Sequence, residues 1–389
     1  MDRIYFDHAG TTPVTEHVLN GMLPYFRENY GNASSIHGTG RDARKAVENA
    51  RRQVQHALCA ENASEIYFTS GGSESDNWAI KGCAMAQKEK GRHIVTTQIE
   101  HHAVLHTCAW LEQQGFDVTY LPVDKEGRVT PEQVRNAIRE DTILVSVMTA
   151  NNEIGTLEPV RELAEAAHER HILFHTDAVQ AVGAIPVDVQ SSGADLLSLS
   201  AHKFGGPKGI GALYVRKGTL MDRLIHGGDQ ERRMRAGTEN LPGIVGLGIA
   251  ITDACEQLEE HALHVRSLRD RLQKGIFERI HGVLLNGPVS AEERLPGNLN
   301  LSILGLQGES VLLRLDLEGI AASSGSACTA GSLDPSHVLL AIGRDTDTAH
   351  ASVRLTLGWE NTEKEVDEVL RILPEIVQDL RRTQGYEIH

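Results

Sequence analysis

The sequence predicts an α/β fold: a large domain on a mainly parallel, doubly wound sheet, joined to a smaller α+β domain. Two observations lead there. Short β-rich runs alternate with helix-period patterns through the first two thirds of the 389 residues, and the composition changes near Cys255. From Thr39 onward, Ala43, Ala46, Val47, Ala50, Val54, Ala57 and Leu58 recur at the spacing that turns one helix face to a core. The β-rich runs are Ile66-Tyr67-Phe68, Ile94-Val95-Thr96, Val118-Thr119-Tyr120, Ile143-Leu144-Val145, Ile172-Leu173-Phe174 and Leu196-Leu197-Ser198. Strands separated by helices need crossover connections, hence a parallel sheet with helices on both faces. After Cys255 a long charged helical stretch runs to about Ile280. Strands follow at Leu299-Asn300-Leu301 and Val353-Arg354-Leu355, then a last helix from about Thr362. The expected division is a large domain over 15–255 and a small one over 1–14 and 256–389.

Charge and cysteine usage narrow the function. With 38 basic and 53 acidic side chains the net charge is -15, which repels a phosphate backbone and argues against nucleic-acid binding. Asp2, Arg3, Asp7 and His8 interrupt any apolar signal-peptide core, and the glycine-broken apolar stretch 244–251 is too short to span a bilayer. A soluble, cytoplasmic protein with no membrane partner is expected. Cys59, Cys83, Cys108, Cys255 and Cys328 form no CxxC or Cys/His pattern, so neither a disulfide framework nor a metal site is expected. The first four sit in helix-like apolar contexts, where a thiol acts as a small hydrophobe.

Ligands of open α/β sheets bind beyond the carboxyl ends of the strands, so the residues after each run are the candidates. Lys203 lies just past Leu196-Leu197-Ser198-Leu199-Ser200 and before a glycine-rich loop. Partial desolvation there favours the neutral amine that forms imines; a lone lysine in such a loop would be unremarkable. Ser70-Gly71-Gly72-Ser73 joins a strand to a helix, where free N–H groups and the helix dipole suit a phosphate, although Ser73 also suits a plain N-cap. Asp177 directly follows a buried-type strand, with Gln180 three residues on; a carboxylate there suits a pyridine nitrogen or, equally, a helix cap. His101 and His102 end another strand, where an imidazole can stack on a ring and relay protons, and Asn151-Asn152 offers an amide at the same edge. One sheet would deliver all of these to one rim, and their joint occurrence outweighs each bland alternative.

Two further residues stand apart. Cys328 lies in Ser323-Ser324-Gly325-Ser326-Ala327-Cys328-Thr329-Ala330-Gly331-Ser332, a run nearly without bulky side chains and so expected to be an exposed, mobile loop over about 322–333. A thiol that travels is a nucleophile candidate. Arg354 places one guanidinium in an alternating strand; its fork suits a substrate carboxylate, and equally an ion pair with a nearby Asp.

Together these residues resemble the cysteine desulfurases of the NifS/IscS type, within the class V, fold-type I transferases that use pyridoxal 5′-phosphate (PLP). The resemblance runs nearly end to end. It includes Tyr5-Phe6-Asp7-His8-Ala9-Gly10-Thr11-Thr12-Pro13, Gly31-Asn32-Ala33-Ser34-Ser35-Ile36-His37 and Gly237-Thr238-Glu239-Asn240. It implies that Lys203 carries PLP as a Schiff base, Asp177 pairs with the pyridine nitrogen and His101 stacks on the ring. Gly72, Ser73, Ser200 and His202 would hold the phosphate, with Asn152 and Gln180 near the phenolic oxygen. Thr238 would reach the phosphate of a neighbouring subunit, which implies a homodimer. The implied reaction converts L-cysteine, held by Arg354 as an external aldimine, to L-alanine and leaves a persulfide on Cys328. Sulfur transfer to an acceptor, with an iron-sulfur scaffold the expected one, would follow. Asp7-His8-Ala9-Gly10 departs from the family's Asp-Asn-Ala-Ala, Asp229 stands where a third glycine is common, and the docking tail of housekeeping members has no counterpart before His389. The rivals are another class V enzyme, for which Cys328 has no use in an aminotransferase, and a non-catalytic docking platform.

Overall fold

A computed structural model describes residues 3–324 and 334–384. The chain opens with β1 (Ile4–Tyr5), α1 (Glu16–Met22), α2 (Pro24–Arg27) and α3 (Gly38–Ala57). Strands and helices then alternate: β2 (Ile66–Thr69), α4 (Gly72–Gln87), β3 (His93–Thr97), α5 (His102–Gln113), β4 (Asp117–Leu121), α6 (Pro131–Ala137), β5 (Thr142–Ser146), α7 (Val160–His168), β6 (Leu173–Asp177), β7 (Leu196–Ser200) and β8 (Gly211–Val215). Next come α8 (Leu241–Glu256), α9 (Leu258–Arg279), β9 (Val283–Asn286), β10 (Asn298–Ile303), α10 (Gly308–Leu317) and β11 (Ile320–Ala321). The chain closes with α11 (His337–Ala341), α12 (Thr346–His350), β12 (Ser352–Thr356) and α13 (Glu363–Gln384).

Seven strands make the main sheet in the order β2-β8-β7-β6-β5-β3-β4. Pairings from β7 through β4 are parallel, and β8 is antiparallel to both β7 and β2. β2 therefore runs with the parallel strands, and the carboxyl ends of β2, β3, β5, β6 and β7 share one rim. Helices cover both faces, which is why β5 and β7 are buried throughout rather than alternating. The sequence pattern does not announce β8, because it leaves the glycine-rich stretch after Lys203 and owes its strand state to the two neighbours it bridges.

One apolar core packs α3 and α8 against this sheet through Val47, Val54, Ile244, Leu247, Ile251 and Leu199. The glycines that break the apolar stretch in α8 have a packing reason: a Cβ on Gly248 would fall 2.9 Å from Ala50 Cα of α3. A second core lies under the antiparallel sheet β12-β10-β9, joining Phe6 to Leu272 of α9, Leu299, Leu355 and Leu373 of α13. β1 pairs in parallel with β11, so the amino-terminal strand belongs to this second layer before the chain enters the first. Cys83 and Cys108 are buried in helices as expected. Cys59 is not: it is exposed just past α3 with φ of 55°, where the helix terminates in a left-handed residue.

The loop after β8 is fastened beneath β2 by a buried ion pair. Arg51 donates to Glu231 at 2.7 and 2.8 Å and to the Ile66 carbonyl at 2.8 Å, and Glu231 also accepts the Phe68 N–H at 3.0 Å. Glu231, Arg232 and Arg233 all have left-handed φ, a conformation that costs non-glycine residues energy and so needs such an anchor. Removing one partner strands a buried charge. In urea titrations Glu231→Ala is expected to lose about 3–5 kcal/mol, whereas Glu48→Ala, which removes a half-exposed partner of the same Arg51, loses less than about 1 kcal/mol. Equal losses would contradict this assignment.

Candidate active site

The rim gathers the predicted groups around the lysine. A single 3-10 turn, Ala201–Lys203, follows β7. There the Lys203 ammonium donates to the carbonyls of Ala9 and Gly10. Gln180 donates to the same Ala9 carbonyl at 3.0 Å. The segment carrying these carbonyls is tied to the turn itself: Thr12 N donates to the His202 carbonyl at 2.9 Å, and His202 Nδ1 lies 3.1 Å from Thr11 Oγ1. Burial and the Lys203 and Lys208 charges push His202 down to about 4, so its ring is neutral near pH 7.

Asp177 ends β6, fully enclosed, with Oδ1 accepting the Val179 N–H at 2.9 Å. One atom each from Asp177, His101 and Asp76 lie within 4.8 Å of one another. Burial raises both carboxyls. The Asp177 charge raises Asp76 further, while the Val179 N–H and the Lys203 charge oppose the rise at Asp177. His101 caps α5, its Nδ1 accepting the Ala103 N–H at 3.1 Å, so the neutral ring carries its proton on Nε2. Burial, then the Lys203 charge, pushes it down to about 4. Behind this trio His175 is held between Ser146 (2.8 Å) and Ser198 (3.0 Å), and burial pushes it down to about 3.

Sequence reasoning missed Asp76. A signal was available: Gly72, Asp76, Ala79 and Cys83 recur at helical spacing, and all four are buried, so an acid sits on the apolar face of α4. Its Oδ1 has no hydrogen-bond partner, and His175 Nε2 is 3.7 Å away.

The turn into α4 is built for an anion. Gly71, with φ of 153°, is the N-cap and offers no side-chain acceptor to the first-turn N–H groups. A Cβ on Gly72 would fall 2.6 Å from Val179 Cγ2 and 3.6 Å from Ser200 Cβ, so the cradle has no room for a side chain. Ser73 is exposed at its mouth, and Glu74 is gripped by Arg235 at 2.8 and 3.0 Å. Thr238 stands apart, exposed on the loop that Arg235 fastens.

Arg354, on edge strand β12, is 1% exposed. It donates to Asp7 Oδ1 at 2.9 Å and to the Asn152 carbonyl at 3.0 Å, and its Nε has no partner among the described residues. Its backbone exchanges hydrogen bonds with Ser323, at 2.6 and 3.2 Å, so the residues leading to Cys328 start beside it. Cys328 itself lies outside the described residues. The other four thiols are poor nucleophiles: burial raises Cys59, Cys83 and Cys255, and pushes Cys108 up to about 12.

The family described as aminotransferase class-V matches residues 4–369. Cysteine desulfurase IscS of Methanosarcina thermophila is 57% identical over 378 residues, covering 97% of this chain and 93% of that protein. Cysteine desulfurase NifS of Azotobacter vinelandii is 45% identical over 386 residues, covering 99% and 95%. A solved structure titled NifS-like protein superposes with a TM-score of 0.91 at 42% identity, over 97% of this chain and 100% of that one. Another, SspA in complex with cysteine, gives a TM-score of 0.80 at 38% identity, over 92% and 100%. The chain belongs to the class-V aminotransferase family, among its cysteine desulfurases.

PLP is the cofactor of this family, and the residues present fit it. Two carboxyls and an imidazole could also hold a cation, but a lysine amine near a buried acid, together with a helix N-terminus that has no room for a side chain, suits a phosphorylated heterocycle with an aldehyde. A cavity of about 430 Å³ also adjoins Lys203 and Gln180, beside His8 and Thr356. Neither Asp177 nor His101 lines it.

The buried histidines set a pH signature. His175 is depressed in the fold, so below the ordinary value of about 6.5 the unfolded chain binds a proton that the folded chain refuses. The contribution of His175 is thus full above that value and shrinks as pH falls. The destabilisation by His175→Asn should be largest at pH 7–8 and diminish by up to about 1.4 kcal/mol per pH unit below 6.5. A pH-independent difference in urea titrations would contradict the neutral assignment.

Proposed function

We propose that this chain converts L-cysteine to L-alanine and captures the sulfur as a persulfide on Cys328. The observation that carries the reading is the single rim where Lys203, Asp177 and His101 meet and where Arg354 abuts the root of the Cys328 segment. Lys203 would hold PLP by its aldehyde, Asp177 by the ring nitrogen and His101 by stacking on the ring. Gly72, Ser73, Ser200 and His202 would hold the phosphate, joined by Thr238 of a second subunit in a homodimer. Asn152 and Gln180 would face the phenolic oxygen. When bound, PLP supplies an electron-withdrawing ring that acidifies the α-carbon of an attached amino acid.

The chain's own groups do the rest. Arg354 exchanges Asp7 for the substrate carboxylate, its fork being held by the Asn152 carbonyl. The Lys203 amine, backed by the Ala9 and Gly10 carbonyls, takes the α-proton and returns it. His101 is neutral and carries its proton on Nε2, so it can exchange a proton beside the reacting atoms. The Cys328 thiolate attacks the substrate sulfur. A new S–S bond forms as the substrate C–S bond breaks, the substrate's thiol proton stays on the persulfide, and the proton given up by the Cys328 thiol ends on the β-carbon to complete L-alanine, so atoms and electrons balance without an oxidant.

Within this reading the large domain spans 15–255, residues 1–14 and 256–389 form the small one, the protein is cytoplasmic, and the terminal sulfur passes to an iron-sulfur scaffold. Among the described residues no helix is long and apolar enough to cross a membrane.

Alanine and sulfide release from L-cysteine, measured with and without Cys328→Ala, tests the reading: turnover is expected to fall by at least about 10³-fold, and unchanged turnover overturns it. A purified protein that gains no visible absorbance with added PLP would favour the docking platform. Gly72→Ala should weaken PLP binding by about tenfold or more, since its Cβ must displace Val179; wild-type affinity would refute the cradle assignment.

A further inference from the structure

Glu153 is a buried acid with no part in the chemistry above. It is 3% exposed and flanks an apolar cluster of Ile99, Met148, Ile154, Val338, Leu339 and Ile342. A carboxyl in such a place costs stability unless it is used. Its backbone is fixed from both layers of the fold. Its N–H donates to Asn151 Oδ1 at 2.9 Å, and its carbonyl accepts Asn298 and Asn300 of β10, both at 3.1 Å. Its side chain goes elsewhere: Oε2 accepts the hydroxyl proton of Ser336.

Ser336 is where the chain returns from the Cys328 segment. It is the N-cap of α11, its Oγ accepting the Leu339 N–H at 3.2 Å, and the next residue, His337, is pinned to the Glu100 carbonyl at 3.0 Å. The outgoing end of the same segment is pinned by Ser323 to Arg354. Arg354 in turn holds the carbonyl of Asn152, the residue before Glu153. One root is therefore tied to the Glu153 carboxyl and the other to Arg354, whose guanidinium, proposed to hold the substrate, meets the carbonyl of the adjacent Asn152.

We propose that Glu153 is a positioning residue for sulfur capture: through Ser336 it sets the returning root of the Cys328 segment relative to the substrate held at Arg354. This rests on the desulfurase reading. Burial raises the Glu153 carboxyl, opposed by Ser336, Arg354 and His102. The role needs a hydrogen-bond acceptor and not a full charge, so Gln can fill it. A loosened root misplaces the thiol without disturbing cofactor or carboxylate binding, and a misplacement of about 1 Å can cost about 10²-fold in rate.

The test uses the PLP-loaded protein and two readouts. One is the rate of persulfide formation on Cys328 after L-cysteine, by rapid quench and mass spectrometry. The other is the absorbance change on titrating L-alanine, which needs Arg354 and PLP but no thiol. Glu153→Ala and Ser336→Ala are each expected to slow persulfide formation by about 10–100-fold, with L-alanine affinity within about twofold, and Glu153→Gln to remain within about threefold of wild type. Wild-type rates in both truncations overturn the proposal. So does a parallel loss of L-alanine affinity, or a Gln variant as slow as Ala, since either makes Glu153 a general prop. A wild-type protein that binds L-alanine yet forms no persulfide refutes the desulfurase reading itself, whatever the variants do.

Discussion

The short stretch 7–12 crosses from the second core to the sheet rim, and its polar groups hold the site together. The Ala9 and Gly10 carbonyls take the Lys203 ammonium, and Ala9 also takes Gln180. The Asp7 carboxylate takes Arg354, and Thr11 and Thr12 clasp His202. Thr356 of β12 accepts the Ala9 N–H at 2.9 Å. A stretch held by polar partners from both sides has little freedom to shift, so it links the amine from one layer to the guanidinium from the other. Their relation is carried by six residues of backbone.

Burial supplies the second half of the account. A neutral rim of imidazoles, His101, His175 and His202, surrounds carboxyls that burial pushes upward. Such acids are stabilised as anions only when a cation or a protonated ring nitrogen sits against them. The pressure that would neutralise Asp177 in the bare protein therefore favours a pyridinium partner, and neutral imidazoles add no competing charge. Asp76 lies close by, and the Asp177 charge adds to the burial that raises its carboxyl.

Much of this was legible in the sequence because it rides on strand ends. Six β-rich runs fall within or across β2 to β7, and once their direction is parallel the residues after them must share a rim; Lys203, Asp177 and His101 follow from that rule. The missing pieces carry weaker local signals. β8 follows directly on a glycine-rich stretch and pairs with both β7 and β2, and Cys59 is exposed because it lies just past the end of α3, where the backbone turns left-handed. Asp76 and Glu153 are acids whose purpose depends on partners 101 and 183 residues away, in the cases of Asp177 and Ser336. Arg354 was read with two alternatives, and in the bare protein it makes the ion pair.

The central claim is that sulfur leaves L-cysteine for one particular thiol. Treating the PLP-loaded protein with L-cysteine and mapping its five cysteine peptides by mass spectrometry tests it most directly. The account predicts a one-sulfur adduct confined to the Cys328 peptide, with L-alanine formed in equal amount in the first turnover. L-alanine formed with no adduct on Cys328, or an adduct on exposed Cys59 instead, would contradict it.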